Sequence, residues 1–246
     1  MKSDGLRIRG RRFKPAGEAH APAVLILHGI PRSKPTAGDP GYLPFAQELA
    51  EMGFLSLFFN FRGAGESEGD FSIKGWSEDL KAVIDDLEQR YSPRAVALLG
   101  FSGGGSIAIY NAAHDPRISA VVSASSPATF DALGIEQQVE LWLKSFHEIG
   151  LIRDPAFPAS VPAWLREFEE IAPIAWVDRV SPRPLLIMHG EKDEIVPAKH
   201  AQMLYEKAGE PKELHWVAEG MHRLRVDPRA LERVKSWLGK WKEGLS

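Results

Sequence analysis

The 246-residue chain contains no cysteine. That absence removes disulfides, thiolate metal sites, iron–sulfur clusters and every mechanism that attacks through a cysteine sulfur. An excess of positive charge is also missing: 30 Lys and Arg stand against 33 Asp and Glu, a net of −3. No overall field is available to gather phosphate backbones, so nucleic-acid binding is not expected. No apolar run reaches the roughly 18 residues of a membrane span, and the first twenty residues lack the apolar segment of a secretory signal. A cytoplasmic protein with no membrane span is the expectation. The densest basic stretch, Arg7 to Lys14, is interleaved with Ile8 and Phe13 and reads as an edge strand whose charges discourage pairing with other chains.

What is present is an ordinary globular composition, 44% hydrophobic and 26% charged, enough to bury a large core. The length admits either two small domains or one large one. Continuous apolar runs at Ala23 to His28, Phe54 to Phe59 and Ala95 to Leu99 end in glycine or a glycine-rich turn, the pattern of strands buried on both faces. Ile118 to Ser123, Leu185 to His189 and Glu213 to Val217 supply three more strand-like runs. Helical spacing fills the gaps at Tyr42 to Met52, Trp76 to Arg90, the segment through Ala113, Lys199 to Ala208 and Pro228 to Trp241. Alternation of this kind predicts an α/β fold, a mostly parallel sheet with helices on both faces. Ligands in such sheets sit at the carboxyl ends of the strands.

The alternation breaks once, over residues 128–180. Two aromatic-rich helical stretches, Glu136 to Ile149 and Ala163 to Ile171, are punctuated by Pro155, Pro158, Pro162 and Pro173. A segment too long for an ordinary loop is expected to be a small helical lid within one domain spanning 1–246. Trp142, Phe146, Phe157, Trp164, Phe168 and Trp176 lie in it, and either line a cleft for an apolar or aromatic group or bury the underside of the segment.

Gly100-Phe101-Ser102-Gly103-Gly104 fits G-x-S-x-G and stands between a buried strand and a helix, where that pattern has mechanical meaning. A serine hydroxyl needs a base, and the base needs an acceptor that fixes its tautomer. Asp193 follows the strand Leu185 to His189, and His222 follows the strand ending at Val217, giving the chain order Ser, Asp, His. Glu191, Glu194 and Asp178 are rival acids. His28 and His189 precede glycine at strand ends and read as architectural. No close histidine pair supports a catalytic metal, and no cofactor motif is found.

With these residues the chain resembles the α/β-hydrolase superfamily over nearly its whole length, and among its members the serine carboxylesterases and feruloyl esterases. The run from His189 through Asp193 to Pro197 is similar to that family's acid motif, His28-Gly29-Ile30 to its oxyanion loop, and Arg62-Gly63-Ala64-Gly65-Glu66-Ser67 to its turn after the next strand. The resemblance implies Ser102 as nucleophile, Asp193 as acid, His222 as base, and the backbone N–H groups of Ile30 and Gly103 as oxyanion hole. Arg62 is expected to brace loops and take no part in the chemistry. The implied activity is hydrolysis of a small-molecule ester with a short-to-medium acyl or aromatic group. Thioesterase or acyl-peptide hydrolase activity is the alternative on the same fold, and a non-catalytic ligand-binding member is a third reading that the intact triad positions disfavour. The sequence is compatible with a homodimer and does not decide the oligomeric state.

Overall fold

In the computed structural model, which describes residues 1–17, 20–34 and 36–245, the apolar runs are strands stacked edge to edge. A two-residue ribbon comes first, β1 (Lys2–Ser3) with β2 (Leu6–Arg7), followed by β3 (Gly10–Phe13) and β4 (Ala23–Leu27). Next come α1 (Leu43–Glu51), β5 (Leu55–Phe59), α2 (Ile73–Tyr91), β6 (Val96–Phe101), α3 (Gly103–His114) and β7 (Ile118–Ala124). The segment after β7 holds α4 (Val139–Ile149) and α5 (Val161–Ile171), and the chain closes with β8 (Leu185–Gly190), α6 (Lys199–Lys207), β9 (Lys212–Val217) and α7 (Pro228–Glu243).

Seven strands form one sheet in the order β3-β5-β4-β6-β7-β8-β9. All neighbours are parallel except β3, which pairs antiparallel with β5 at the edge. Arg11 and Arg12 lie on that edge strand and are exposed, as the interleaved basic stretch predicted. Strand alternation divides the core in two. Leu25 and Leu27 of β4 face a cluster built with α2, α3 and α6, whereas Val24 and Ile26 face a second built with α1 and α7. A strand covered on both sides needs apolar residues at every position, which is why β4 reads as an unbroken run.

From β4 the chain goes outward to β5, then returns to the other side of β4 for β6. Strand order reverses there, so the connections after β4 and after β6 leave in opposite directions and open a crevice at their carboxyl ends. Three helix starts are set by capping side chains: Ser72 Oγ accepts from Gly75 N–H (2.8 Å) at α2, Ser160 Oγ from Ala163 N–H (3.4 Å) at α5, and Asp227 Oδ1 from Arg229 N–H (2.9 Å) at α7. Ser72 starts α2 at Ile73, three residues before the apolar stripe suggests. No helix among the described residues is long and apolar enough to cross a membrane.

Candidate active site

The tight turn between β6 and α3 carries Ser102. Its backbone has φ 52° and ψ −124°, a conformation rare for a residue with a Cβ and of the kind found where strain serves function. Small neighbours make the turn sterically possible. A Cβ on Gly100 would overlap the Gly104 carbonyl oxygen, and one on Gly104 would overlap the carbonyl oxygens of Leu27 and His28. The turn is pinned from β7, where Ala124 O accepts the Ser102 N–H at 2.8 Å and Ser126 Oγ donates to Ser102 O at 3.0 Å.

Although 120 residues separate them in sequence, Ser102 Oγ lies 3.1 Å from His222 Nε2. On the other side of the ring, His222 Nδ1 is 2.9 and 3.0 Å from the two carboxylate oxygens of Asp193. The carboxylate can only accept, so the proton belongs on Nδ1 and Nε2 keeps a lone pair for the serine hydroxyl. Asp193 is itself held: its Oδ1 also accepts the backbone N–H groups of Ile195 (2.9 Å) and Val196 (2.8 Å). Burial opposes its ionisation, but hydrogen bonds from His189, His222 and the Val196 N–H outweigh that and hold the carboxyl below the usual range. The rival acids are elsewhere. Glu194 accepts the backbone N–H of His222 at 3.0 Å and so helps to hold the His222 loop, while Asp178 and Glu191 are exposed.

Across from the serine, the loop after β4 approaches so closely that a Cβ on Gly29 would stand 2.9 Å from Ser102 Cβ. The Ile30 nitrogen lies within 3.5 Å of where a Gly103 Cβ would be. Gly103 opens α3, and its N–H is one of the amides a helix start leaves free. The two N–H groups therefore stand together beside Ser102. His28 supports this loop: its Nδ1 lies 2.8 Å from Gly29 O, and its Nε2 accepts the Phe61 N–H at 3.1 Å. Burial pushes the ring pKa down to about 4, opposed by the Gly29 carbonyl, so His28 is a neutral strut.

Arg62 is the brace the sequence suggested. Its guanidinium donates to buried Asp79 (Nε 3.0 Å), to Asp4 (2.8 Å) and to Ser3 Oγ (3.1 Å), tying the turn after β5 to α2 and to the N-terminal ribbon. Three contacts had no signal in the sequence. Arg153, beyond α4, donates to the carbonyls of Ser67 (2.7 Å), Gly63 (3.0 Å) and Gly65 (3.0 Å). The segment that leaves the sheet after β7 is thus fastened to the turn after β5, and the ends of β4 and β6 lie between those points. Asp39, in the loop beyond Ile30, takes Arg223 (3.3 Å) and Arg225 from the loop that carries His222. His189 Nε2 is 2.9 Å from Val196 O and 3.2 Å from Asp193 Oδ2.

The aromatic residues of 128–180 are mostly used in packing. Phe146, Trp164 and Phe168 are buried around Phe71, with ring centroids 5.0, 6.1 and 6.1 Å away. Trp176 packs on Tyr110 and His114 of α3. Trp142 is half-buried and lies under the guanidinium of Arg32. Among the described residues no three His, Asp or Glu side chains gather in a way that could hold a metal ion.

A family model described as the alpha/beta hydrolase fold matches residues 22–149, just over half the chain. The chain belongs to the α/β-hydrolase family. A second model, described as serine aminopeptidase S33, matches residues 163–229 of this α/β hydrolase. It is 28% identical over 224 residues to the uncharacterized protein YfhR of Escherichia coli strain K12, covering 89% of this chain and 70% of that protein. The thiohydrolase aneE of Aspergillus aculeatus is 27% identical over 245 residues, 94% of this chain and 66% of its own length. Est1E from Butyrivibrio proteoclasticus, solved with ferulic acid bound, superposes with a TM-score of 0.75 at 22% identity, over 99% of this chain and 97% of the other.

Proposed function

We propose that the protein hydrolyses carboxylic esters through an acyl-enzyme on Ser102. The observation that carries the proposal is the run of contacts from Ser102 Oγ to His222 Nε2 and from His222 Nδ1 to Asp193, at 3.1 and 2.9 Å. Ser102 Oγ attacks the ester carbonyl carbon while its proton passes to His222 Nε2. Negative charge develops on the carbonyl oxygen, where the Ile30 and Gly103 N–H groups receive it; a donor so placed is worth roughly 3 kcal/mol in the transition state. The carbon–oxygen bond to the alcohol breaks as His222 returns the proton to the leaving oxygen, and Asp193 stabilises the imidazolium between the two transfers. Water then attacks the acyl-enzyme by the same steps, releasing the carboxylic acid and restoring Ser102.

We further read residues 1–246 as one domain with 128–180 as its lid, since that segment is fastened on both sides of the strand ends that carry Ile30 and Ser102. A short-to-medium or aromatic acyl group is supported by the ferulic acid in the structurally similar Est1E. Hydrolysis of a thioester or a peptide amide is the second reading, favoured by the name of aneE and by the serine aminopeptidase model. Matched p-nitrophenyl esters, acyl thioesters and aminoacyl amides test it: the ester reading requires the highest kcat/KM on the esters. Ser102→Ala must abolish that turnover while far-UV circular dichroism is unchanged, and full activity in this variant would overturn the mechanism.

A further inference from the structure

Arg32 lies two residues beyond Ile30, on the loop that forms one wall of the site. Its guanidinium carbon is 5.6 Å from the centroid of the Trp142 ring on α4, and the side chain is exposed. A cation–π contact with an indole attracts a guanidinium without consuming its N–H donors. The other arginines discussed at this site have their donors engaged: Arg62 with Asp79 and Asp4, Arg223 and Arg225 with the one carboxylate of Asp39, and Arg153 with backbone carbonyls. Arg32 makes no ion pair or hydrogen bond with any described residue. Glu140, two residues before Trp142, faces a different side of α4 and does not reach it. Lys34 follows on the same loop, also exposed and without an acidic partner among the described residues.

Positive charge is in excess around it. Across the two loops Arg32, Lys34, Arg223 and Arg225 stand against Asp39, shared by two of them, and against Glu194 on the His222 N–H, in a protein whose net charge is −3. Two residues of chain span at most about 7 Å. A substrate whose carbonyl oxygen rests on the Ile30 N–H therefore has Arg32 within reach of a group a few bonds from the scissile carbon.

Resting on the ester-hydrolase reading, we propose that the substrate is an acidic ester, one that carries a free carboxylate which docks on the guanidinium of Arg32 over Trp142. A carboxylate matches the planar fork of an arginine with two parallel hydrogen bonds. The shared chemistry is the anion; it can stand on the acyl side or on the alcohol side of the ester.

Two substrate pairs separate these cases. Monoethyl adipate against ethyl hexanoate places the charge on the acyl side, and 4-acetoxybutanoate against butyl acetate places it on the alcohol side. With the full chain at low ionic strength, kcat/KM for the charged member of at least one pair should exceed that of its neutral partner by about fivefold or more. The ratio should fall toward one in Arg32→Gln, be partly kept in Arg32→Lys, and shrink with added salt. A ratio near one in both pairs, or a preference that survives Arg32→Gln, overturns the proposal while leaving the ester-hydrolase reading in place. If none of the four esters is turned over in a Ser102-dependent way, the ester-hydrolase reading fails and the substrate assignment fails with it.

Discussion

Asp193 is shared by two imidazoles: His222 Nδ1 lies 2.9 Å and His189 Nε2 3.2 Å from the same carboxylate oxygen, Oδ2. His189 is fully buried at the end of β8; its Nε2 proton is shared between Val196 O at 2.9 Å and this carboxylate, and the shared contact, sheltered from water, helps to hold the carboxylate beside His222. The charged and titratable groups around this pair are Glu194 on the backbone N–H of His222, His200 of α6, and Lys199 and Asp131 further out. His189→Phe keeps the ring volume and removes the donor. Loss of a hydrogen bond to a charged group corresponds to about a tenfold or larger fall in rate. The expected result is a lower kcat with little change in KM. The acidic limb of the pH–rate profile should move to higher pH, because a carboxylate relieved of one donor attracts the imidazolium more strongly. His189→Gln, which retains a donor, should recover part of the rate. Steady-state kinetics of the three proteins from pH 5 to 9 checks this, and wild-type rate and profile in His189→Phe would leave His189 a packing residue.

His28 makes stability depend on pH with a defined sign. Its folded pKa of about 4 lies below its ordinary 6.5, so between those values the unfolded chain binds the proton more readily than the folded one. Stability therefore falls as pH drops from 6.5 toward 4, by roughly 3 kcal/mol from this residue. Urea unfolding at pH 4, 5 and 6.5 should show that loss, and His28→Gln should remove most of that slope. An unchanged slope in the variant would mean that His28 is not the group responsible.

Arg153 fastens residues 128–180 to the turn after β5 through three carbonyls. Arg153→Met keeps the aliphatic stem and leaves the carbonyls without their donor. We expect a loss of about 2 kcal/mol in urea unfolding and faster amide exchange in residues 63–67 and 139–152, with the β4 and β6 amides unaffected. Equal exchange in both proteins would show that the aromatic cluster around Phe71 holds the segment without the arginine.

The sheet was legible because its strands are covered on both faces and so read as unbroken apolar runs, Ala23–Leu27 above all. Ser102 and Asp193 are legible because each follows such a run, and His222 because it follows the half-exposed edge strand Lys212–Val217; geometry that recurs at strand ends leaves a local mark such as the glycines around Ser102. The Asp39–Arg225 pair left none: 186 residues separate its members, and neither stands in a pattern that distinguishes it from other surface charges. The ribbon Lys2–Arg7 was missed because two-residue strands are too short to show a period. Helical spacing locates α4 and α5 but does not say which neighbour each apolar face meets; the contacts with Phe71 assign Phe146 and Trp164 to the core. Position before a glycine at a strand end marks His189 as architectural, and its contact with Asp193 shows that such a histidine can also support a neighbouring carboxylate.

The way residues 128–180 use their aromatics bears on how such a protein can be redesigned. Phe146, Trp164 and Phe168 are committed to the interior, so changing them trades away folding before it alters selectivity. Residues 31–34 and 36–38 and the outward face of α4, where Leu141 is 64% exposed, carry little of the core. Mutational libraries confined to those two surfaces can therefore explore new specificities while drawing on almost none of the fold's stability.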